Sequence, residues 1–261
     1  MEERKQKTKI GIVDIETAPN VAYVWGVWKQ NIGHNQLKEN GYIISATWKF
    51  LGEDKTHYVE NRHNDDYEIT EQLVKFLDEC DIVIAHNAKK FDLPLILGRA
   101  VVHRIAPPSP YKVIDTLASA KQYFRFPRYT LKYLAEIFWC APKDEHEKFP
   151  GFELWLQCLK QNDEAWEEMR KYNIQDVITL EQVYLRMRPF ILNHPNIGIF
   201  IQDEVHVCPA CGSVHLHKRG TYKTNVGEYQ RYRCMDCGKW SRGRANVLAK
   251  DVRKELLANA L

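Results

Sequence analysis

Asp14 and Glu16 stand two residues apart in the stretch Lys9-Ile10-Gly11-Ile12-Val13-Asp14-Ile15-Glu16-Thr17. The apolar Ile10, Ile12, Val13 and Ile15 predict a buried β-strand. Side chains on a strand repeat every two residues, so both acids leave the same face side by side. Two carboxylates that close repel each other unless a cation sits between them. A solvated edge strand with incidental acids is the alternative, and the three buried-type residues around the acids argue against it. The pair therefore reads as a divalent-metal site.

Two further carboxylates have a setting that fits the same chemistry. Asp92 closes Asn87-Ala88-Lys89-Lys90-Phe91-Asp92, between the apolar run Asp81–His86 and a helix expected from about Leu93, with Pro94 in its first turn. That places it at the mouth between a strand end and a helix start, where ligands of open α/β sheets gather. The competing role is a helix N-cap. Asp176 follows Tyr172 by four residues within a helix expected from Asp163 to about Arg188, which puts phenol and carboxylate on one face, one turn apart. Taken alone, that pair also fits a solvated acid beside a half-buried tyrosine. Asp115 opens the helix after the run Lys112–Ile114 and reads as a cap.

The elements that must position these groups follow from the hydrophobic pattern. Tyr42–Leu51 and His57–Glu60 read as strands, Asp81–His86 as a short strand buried on both faces, and Lys112–Ile114 as a fifth strand. Ile69–Leu77 is an amphipathic helix, and another begins at Tyr129. Ala18–Gly41 is a connection longer than most in compact domains, carrying Tyr23, Trp25 and Trp28, which either stack on unpaired bases or tuck back onto the core.

Cys208-Pro209-Ala210-Cys211-Gly212 and Cys234-Met235-Asp236-Cys237-Gly238 are two knuckles of thiols. Four thiolates at this spacing suit one tetrahedral Zn²⁺, and a glycine after each second cysteine permits the turn that wraps it. A closed four-cysteine site is structural rather than catalytic. His206, His215 and His217 are nearby spare ligands, while Cys80, Cys140 and Cys158 fit reduced core residues. Around the knuckles lie Lys218, Arg219, Lys223, Arg231, Arg233, Lys239, Arg242 and Arg244, interleaved with Tyr222, Tyr229, Tyr232 and Trp240. Cations among aromatics suit phosphate contact plus base stacking; a solvated basic ribbon or a dock for a protein is the alternative.

The chain of 261 residues is 44% hydrophobic and 27% charged, ordinary values for a globular protein. From Asp203 on, eleven Lys and Arg stand against six Asp and Glu, which leaves 26 against 28 in the first 202 residues. A mildly acidic body with a basic tail suits an acidic metal pocket joined to an appendage that holds nucleic acid. Met1–Lys7 carries no apolar signal region and no run reaches membrane-spanning length, so the expectation is a cytoplasmic protein with no membrane contact.

Asp-x-Glu on a strand, Asn-x-x-x-Phe-Asp after a strand and Tyr-x-x-x-Asp on a late helix, in that order, resemble the DEDD superfamily of 3′→5′ exonucleases in its tyrosine variant, with DnaQ-like nucleases and the proofreading domains of family B DNA polymerases among its members. The resemblance covers roughly residues 8–192, and the first strand with its aromatic loop also looks like stand-alone bacteriophage exonucleases. It implies an RNase H-like α/β fold, a mixed five-stranded sheet flanked by helices, over 1–198; the two cysteine knuckles by themselves resemble a small zinc ribbon over 199–244, with a helical tail expected over 245–261. It implies metal ligation by Asp14, Glu16, Asp92 and Asp176, with Tyr172 orienting the attacking water; Lys171 stands where the histidine variant carries its base. Thr17, through its backbone, and Asn87 and Phe91 would contact the substrate strand. The chemistry asks for two Mg²⁺ or Mn²⁺ ions, hard cations that prefer oxygen ligands. The implied function is a two-metal-ion 3′→5′ exonuclease on nucleic acid, single-stranded DNA first, with a replication partner protein compatible. A 3′→5′ exoribonuclease and a non-catalytic nucleic-acid-binding or replisome adaptor on the same fold are the rivals.

Overall fold

Ile10, Ile12, Val13 and Ile15 are all buried in a computed structural model that describes residues 8–140, 148–201 and 206–258. They lie on β1 (Ile10–Thr17), the central strand of a five-stranded sheet. The described residues divide into two compact units, Lys9–Tyr184 and Leu185 onward, with the division inside the long helix. The charged run Met1–Lys7, residues 202–205 and the last three residues of the expected tail lie outside the described residues.

In the first unit β1 is followed by a small hairpin, β2 (Val21–Ala22) and β3 (Leu37–Glu39), then by β4 (Ile43–Phe50), β5 (Thr56–Glu60), α1 (Tyr67–Asp78), β6 (Ile82–Ala85), α2 (Asp92–Val102), β7 (Lys112–Asp115), α3 (Thr116–Tyr123), α4 (Leu131–Ile137), α5 (Glu153–Leu159) and α6 (Asp163–Met187). The sheet order is β5-β4-β1-β6-β7. β4 and β5 are antiparallel to their neighbours, while β6 and β7 run parallel to β1. The sheet is therefore mixed, as the RNase H-like reading requires.

The four residues of β6 are completely buried, which explains their continuous apolar run: a parallel strand covered on both faces has no polar side. Gly11 marks how closely α1 approaches β1. A Cβ there would lie 2.4 Å from the Phe76 ring and 2.5 Å from Cys80 Sγ. Asp66, at the N-terminal end of α1, is fully buried and ties three elements together. Its carboxylate accepts from the Ile43 N–H at 2.9 Å, from Arg99 Nη2 at 2.6 Å and from His103 Nε2 at 2.6 Å. Lys49, also buried, pairs with Glu181 and fastens α6 to β4.

The connection Ala18–Gly41 is not structureless. Val21 pairs with Glu39 and Ala22 with Leu37, and Tyr23, Trp25 and Trp28 all extend into solvent from the hairpin's excursion. The core-anchor alternative is thereby excluded for these rings.

In the second unit a short helix, α7 (Gly198–Ile201), precedes a three-stranded antiparallel sheet of β8 (Leu216–Thr224), β9 (Gly227–Cys234) and β10 (Trp240–Asn246). A final short helix, α8 (Lys250–Glu255), follows. Among the described residues, no helix is long and apolar enough to cross a membrane.

Candidate metal centre

Strand alternation puts Asp14 and Glu16 on one face of β1, and α6 brings Asp176 to them. Each of the three offers a carboxylate oxygen within 4.8 Å of the others. The pairing of β1 with β4 shifts register between Glu16 and Thr17, so the strand ends in a bulge beside the second acid.

Asp92 falls outside that mutual radius but touches the same strand between the two acids. The backbone N–H of Ile15 and that of Asp92 itself support its carboxylate. Asp92 is the first residue of α2, with Phe91 in the N-cap position, and is 2% exposed, so the N-cap role is not the one it plays. Burial pushes its carboxyl up to about 7, against the pull of those N–H groups. Its Oδ2 is fully buried with no hydrogen-bond partner among the described residues. A buried, unanswered carboxylate oxygen beside a three-carboxylate cluster is what a cation site needs, and an all-oxygen donor set suits hard divalent ions.

Asp115 performs the capping role, accepting from the Ala118 N–H at 2.9 Å. It also accepts from the backbone of Asn87 at 3.3 Å and of Lys89 at 3.1 Å, which fixes the loop that delivers Asp92. Asn87 holds that loop in a left-handed turn, φ +80°, a conformation asparagine tolerates better than most residues. Phe91, 40% exposed, precedes Asp92 on the same loop.

Tyr172 and Asp176 share a face of α6, and the phenol donates to the Asp176 carboxylate. Burial raises the Tyr172 phenol well above its ordinary value, and Asp176, Glu16 and Asp14 raise it further. It stays protonated throughout the working range, with its hydrogen bond to Asp176 intact.

Two residues of the site carry no signal in the motifs. Asn173, fully buried, donates from Nδ2 to Asp14 Oδ2 at 2.6 Å and accepts at Oδ1 from Thr47 Oγ1 at 2.9 Å. Trp155 on α5 donates from Nε1 to Glu16 Oε2 at 3.1 Å and meets the Tyr172 ring edge-on at 5.9 Å. Each acid of the strand pair thus has its own positioning residue. Asn173 could have been flagged as a polar residue between Tyr172 and Asp176; nothing marks Trp155, which lies in a helix the periodicity does not predict.

A second acidic grouping, Asp65, Asp66 and His103, does not resemble the first. The Arg99 guanidinium already occupies both Asp66 oxygens, and a metal cation there would meet a fixed positive charge.

In the second unit the sulfurs of Cys208, Cys211, Cys234 and Cys237 all lie within 4.8 Å of one another. Cys208 Sγ is 3.6 Å from Cys237 Sγ, and Cys211 Sγ is 3.6 Å from Cys234 Sγ. A disulfide needs about 2.05 Å. A tetrahedral ion about 2.3 Å from each sulfur sets the sulfurs about 3.8 Å apart, and the observed separations are close to that. The two knuckles repeat one geometry. The Gly212 N–H donates to Cys208 O at 2.9 Å with φ +74°, and the Gly238 N–H to Cys234 O at 3.1 Å with φ +79°. These are the glycine turns the sequence predicts. His206, His215 and His217 stand outside the sulfur cluster. Lys239 departs from its expected role as a phosphate contact: it is 8% exposed, and its ammonium donates to Ile191 O at 2.6 Å.

The fold and the carboxylate cluster define a class, and comparison with known proteins names it. The chain belongs to the RNase_H superfamily, whose profile matches residues 12–188. No curated protein sequence matches the chain. Among solved structures, the family B DNA polymerase from the hyperthermophilic archaeon Pyrobaculum calidifontis is similar, with a TM-score of 0.53 and 13% identity over 87% of this chain. The match spans 32% of that polymerase, and at this identity it establishes the fold alone.

Proposed function

We propose that this protein is a metal-dependent 3′→5′ exonuclease of the DEDD type, tyrosine variant, acting first on single-stranded DNA. The observation that carries the reading is the convergence of Asp14, Glu16 and Asp176 within 4.8 Å, with the Tyr172 phenol bonded to Asp176. Membership in the RNase_H superfamily supports a nuclease in general. In this reading Asp14, Glu16, Asp92 and Asp176 hold two Mg²⁺ or Mn²⁺ ions. When bound, such ions supply neutralisation of the phosphate charge and activation of water near neutral pH.

The protein's own part is positional. Asn173 and Trp155 fix the two strand carboxylates before substrate arrives, so little reorganisation is needed at the reacting phosphate. Tyr172 keeps its proton and orients the attacking water as a hydrogen-bond donor or acceptor. Thr17 at the bulge and Asn87 and Phe91 on the β6–α2 loop are assigned to the terminal nucleotides. The working domain division is 1–198 for the nuclease, 199–244 for a ribbon holding one structural Zn²⁺, and 245–261 for the tail. A replication protein is a compatible partner.

The test is release of mononucleotides from matched DNA and RNA oligonucleotides labelled at either end. The proposal expects Mg²⁺- or Mn²⁺-dependent release from the 3′ end, with DNA preferred. It expects Asp14→Asn and Asp176→Asn to lower turnover by several orders of magnitude while circular dichroism stays unchanged. A folded Asp14→Asn protein with wild-type rates would overturn the mechanism. RNA preferred over DNA would move the assignment to the exoribonuclease.

A further inference from the structure

One face of the second unit's sheet gathers residues that the sequence only lists side by side. Residues directly opposite in an antiparallel ladder share a face, as do alternate residues along a strand. Arg233 stands opposite Trp240 and His217, Arg231 opposite Arg242, and Tyr229 opposite Tyr222. Since 229, 231 and 233 alternate along β9, all seven side chains leave the sheet on the same side. Glu228 pairs with Lys223 on the other side, so among the described residues of the three strands this face carries three guanidiniums in paired register and no carboxylate.

The guanidiniums are held on the rings. The Arg231 Cζ lies 4.8 Å from the Trp240 centroid, and the Arg242 Cζ lies 4.3 Å from that of Tyr229 and 5.9 Å from that of Tyr222. Arg231 is braced further by its Nε, which donates to Arg219 O at 2.8 Å. Such stacking fixes the long side chains while leaving their charge intact. None of the three makes an ion pair among the described residues. Trp240 remains 47% exposed and Tyr222 48%, so each ring keeps open surface beyond what the guanidinium covers.

We propose that this face binds single-stranded nucleic acid, with Arg231, Arg233 and Arg242 taking phosphates and Tyr222 and Trp240 stacking on unpaired bases. Charge decides the kind of occupant: an unbalanced row of fixed cations calls for a polyanion. The open rings decide between strands, because a base can stack on a side chain only when it is not already stacked within a duplex. The face spans about 14 Å along β9, from Tyr229 to Arg233, which is enough for a few nucleotides. This site belongs to the second unit and does not depend on the nuclease reading.

The experiment measures binding rather than cleavage. Fluorescence anisotropy of a labelled 20-nucleotide oligo-dT is followed with the full chain in an Asp14→Asn background, without chelator, so that the strand and the cysteine cluster's metal both survive. Tyr222 sits at the end of the sheet away from the cysteines, and Arg242 sits mid-sheet with its guanidinium on the Tyr229 ring. Tyr222→Ala and Arg242→Ala are each expected to raise the Kd roughly tenfold. Arg242→Ala should also flatten the slope of log Kd against log salt by about 0.7. Lys223→Ala, on the opposite face, removes the same charge and should change little. On an abasic sugar-phosphate strand of equal length, Tyr222→Ala should have no effect. Trp240→Ala repeats the test at the other end, with zinc content and far-UV circular dichroism checked for each variant. Face variants that bind like Lys223→Ala would overturn the proposal. So would a Tyr222→Ala loss of equal size on the abasic strand.

Discussion

The Asn173 side-chain amide bridges Asp14 to the neighbouring strand: Nδ2 donates to Asp14 Oδ2 at 2.6 Å while Oδ1 accepts from Thr47 Oγ1 at 2.9 Å and Ser45 Oγ at 3.3 Å. One fully buried residue of α6 thereby sets the angle at which a β1 carboxylate faces its partners.

Asn173→Ala should therefore act on metal use as well as on stability. Removing a residue that orients a metal ligand typically costs about 10- to 100-fold in metal affinity or activity. Leaving the Thr47 and Ser45 hydroxyls and the Asp14 carboxylate short of a partner should also cost about 1–3 kcal/mol of stability. Titrating nuclease activity with Mn²⁺ separates the two effects. A lowered thermal midpoint with an unmoved Mn²⁺ midpoint would make Asn173 a purely structural residue.

For Tyr172→Phe the expected loss is in turnover, with the Michaelis constant little changed, because the hydroxyl is assigned to the water and not to the strand. Burial and three carboxylates hold the phenol above its usual range. The rate should therefore show no tyrosine limb as pH passes 10. An unchanged kcat with a raised KM would reassign Tyr172 to substrate contact.

How much of this was legible in the sequence differs by element. The five sheet strands came through from clustered apolar and β-branched residues, most plainly β6, where burial on both faces leaves the continuous apolar run Ile82–Ala85. Asp115 reads as a cap and is one, since capping is a local matter of one side chain and the turn after it. The β2–β3 hairpin was hidden in a loop because two- and three-residue strands have no period to detect. α5, seven residues long, was hidden for the same reason, and Trp155 with it. Three of the expected metal ligands meet and Asp92 is not in their group, although its carboxylate accepts from the Ile15 N–H of β1, a tertiary relationship that no spacing encodes. Lys239 misled because a lysine near the knuckles looks like a phosphate contact until its burial against Ile191 is seen.

Acid stability should report on Asp66. Burial alone would raise its carboxyl, but hydrogen bonds from Arg99, the Ile43 N–H and His103 outweigh this and leave it below the ordinary aspartate value of 3.8. A carboxylate depressed in the folded state stabilises above its unfolded value, and that stability is lost as pH falls through the folded value. Asp66→Asn should cost about 3 kcal/mol near neutral pH, because the Arg99 guanidinium is left without its counter-charge. Below pH 3.8 the gap between wild type and variant should narrow, as the wild-type carboxyl itself takes up a proton. Thermal midpoints measured from pH 7 down to pH 2 check this; a gap that stays constant would remove the ion-pair account.

Metal removal should separate the two units. Among the described residues, the cluster that backs the three-stranded sheet is small: Cys208, Ala210 and Cys234, with Cys211, Leu216 and Cys237 packed against them. So small a core cannot hold a three-stranded sheet without its ion, and binding free energy there is folding free energy. Cys234→Ser should lose about one zinc per chain and melt the strands β8–β10. The first unit has a separate core around Val13, Ile15, Leu73, Leu77 and Val83, and its carboxylates take a different class of ion. It should keep its fold and its Mg²⁺-dependent cleavage of short oligonucleotides. Hydrogen exchange resolves the two: amides of β8–β10 should lose protection in Cys234→Ser while those of β1 and β6 keep theirs. Protection lost equally in both would mean that the four-cysteine cluster supports the nuclease fold as well, and a cluster retaining all its protection without zinc would show that the sulfurs need no ion.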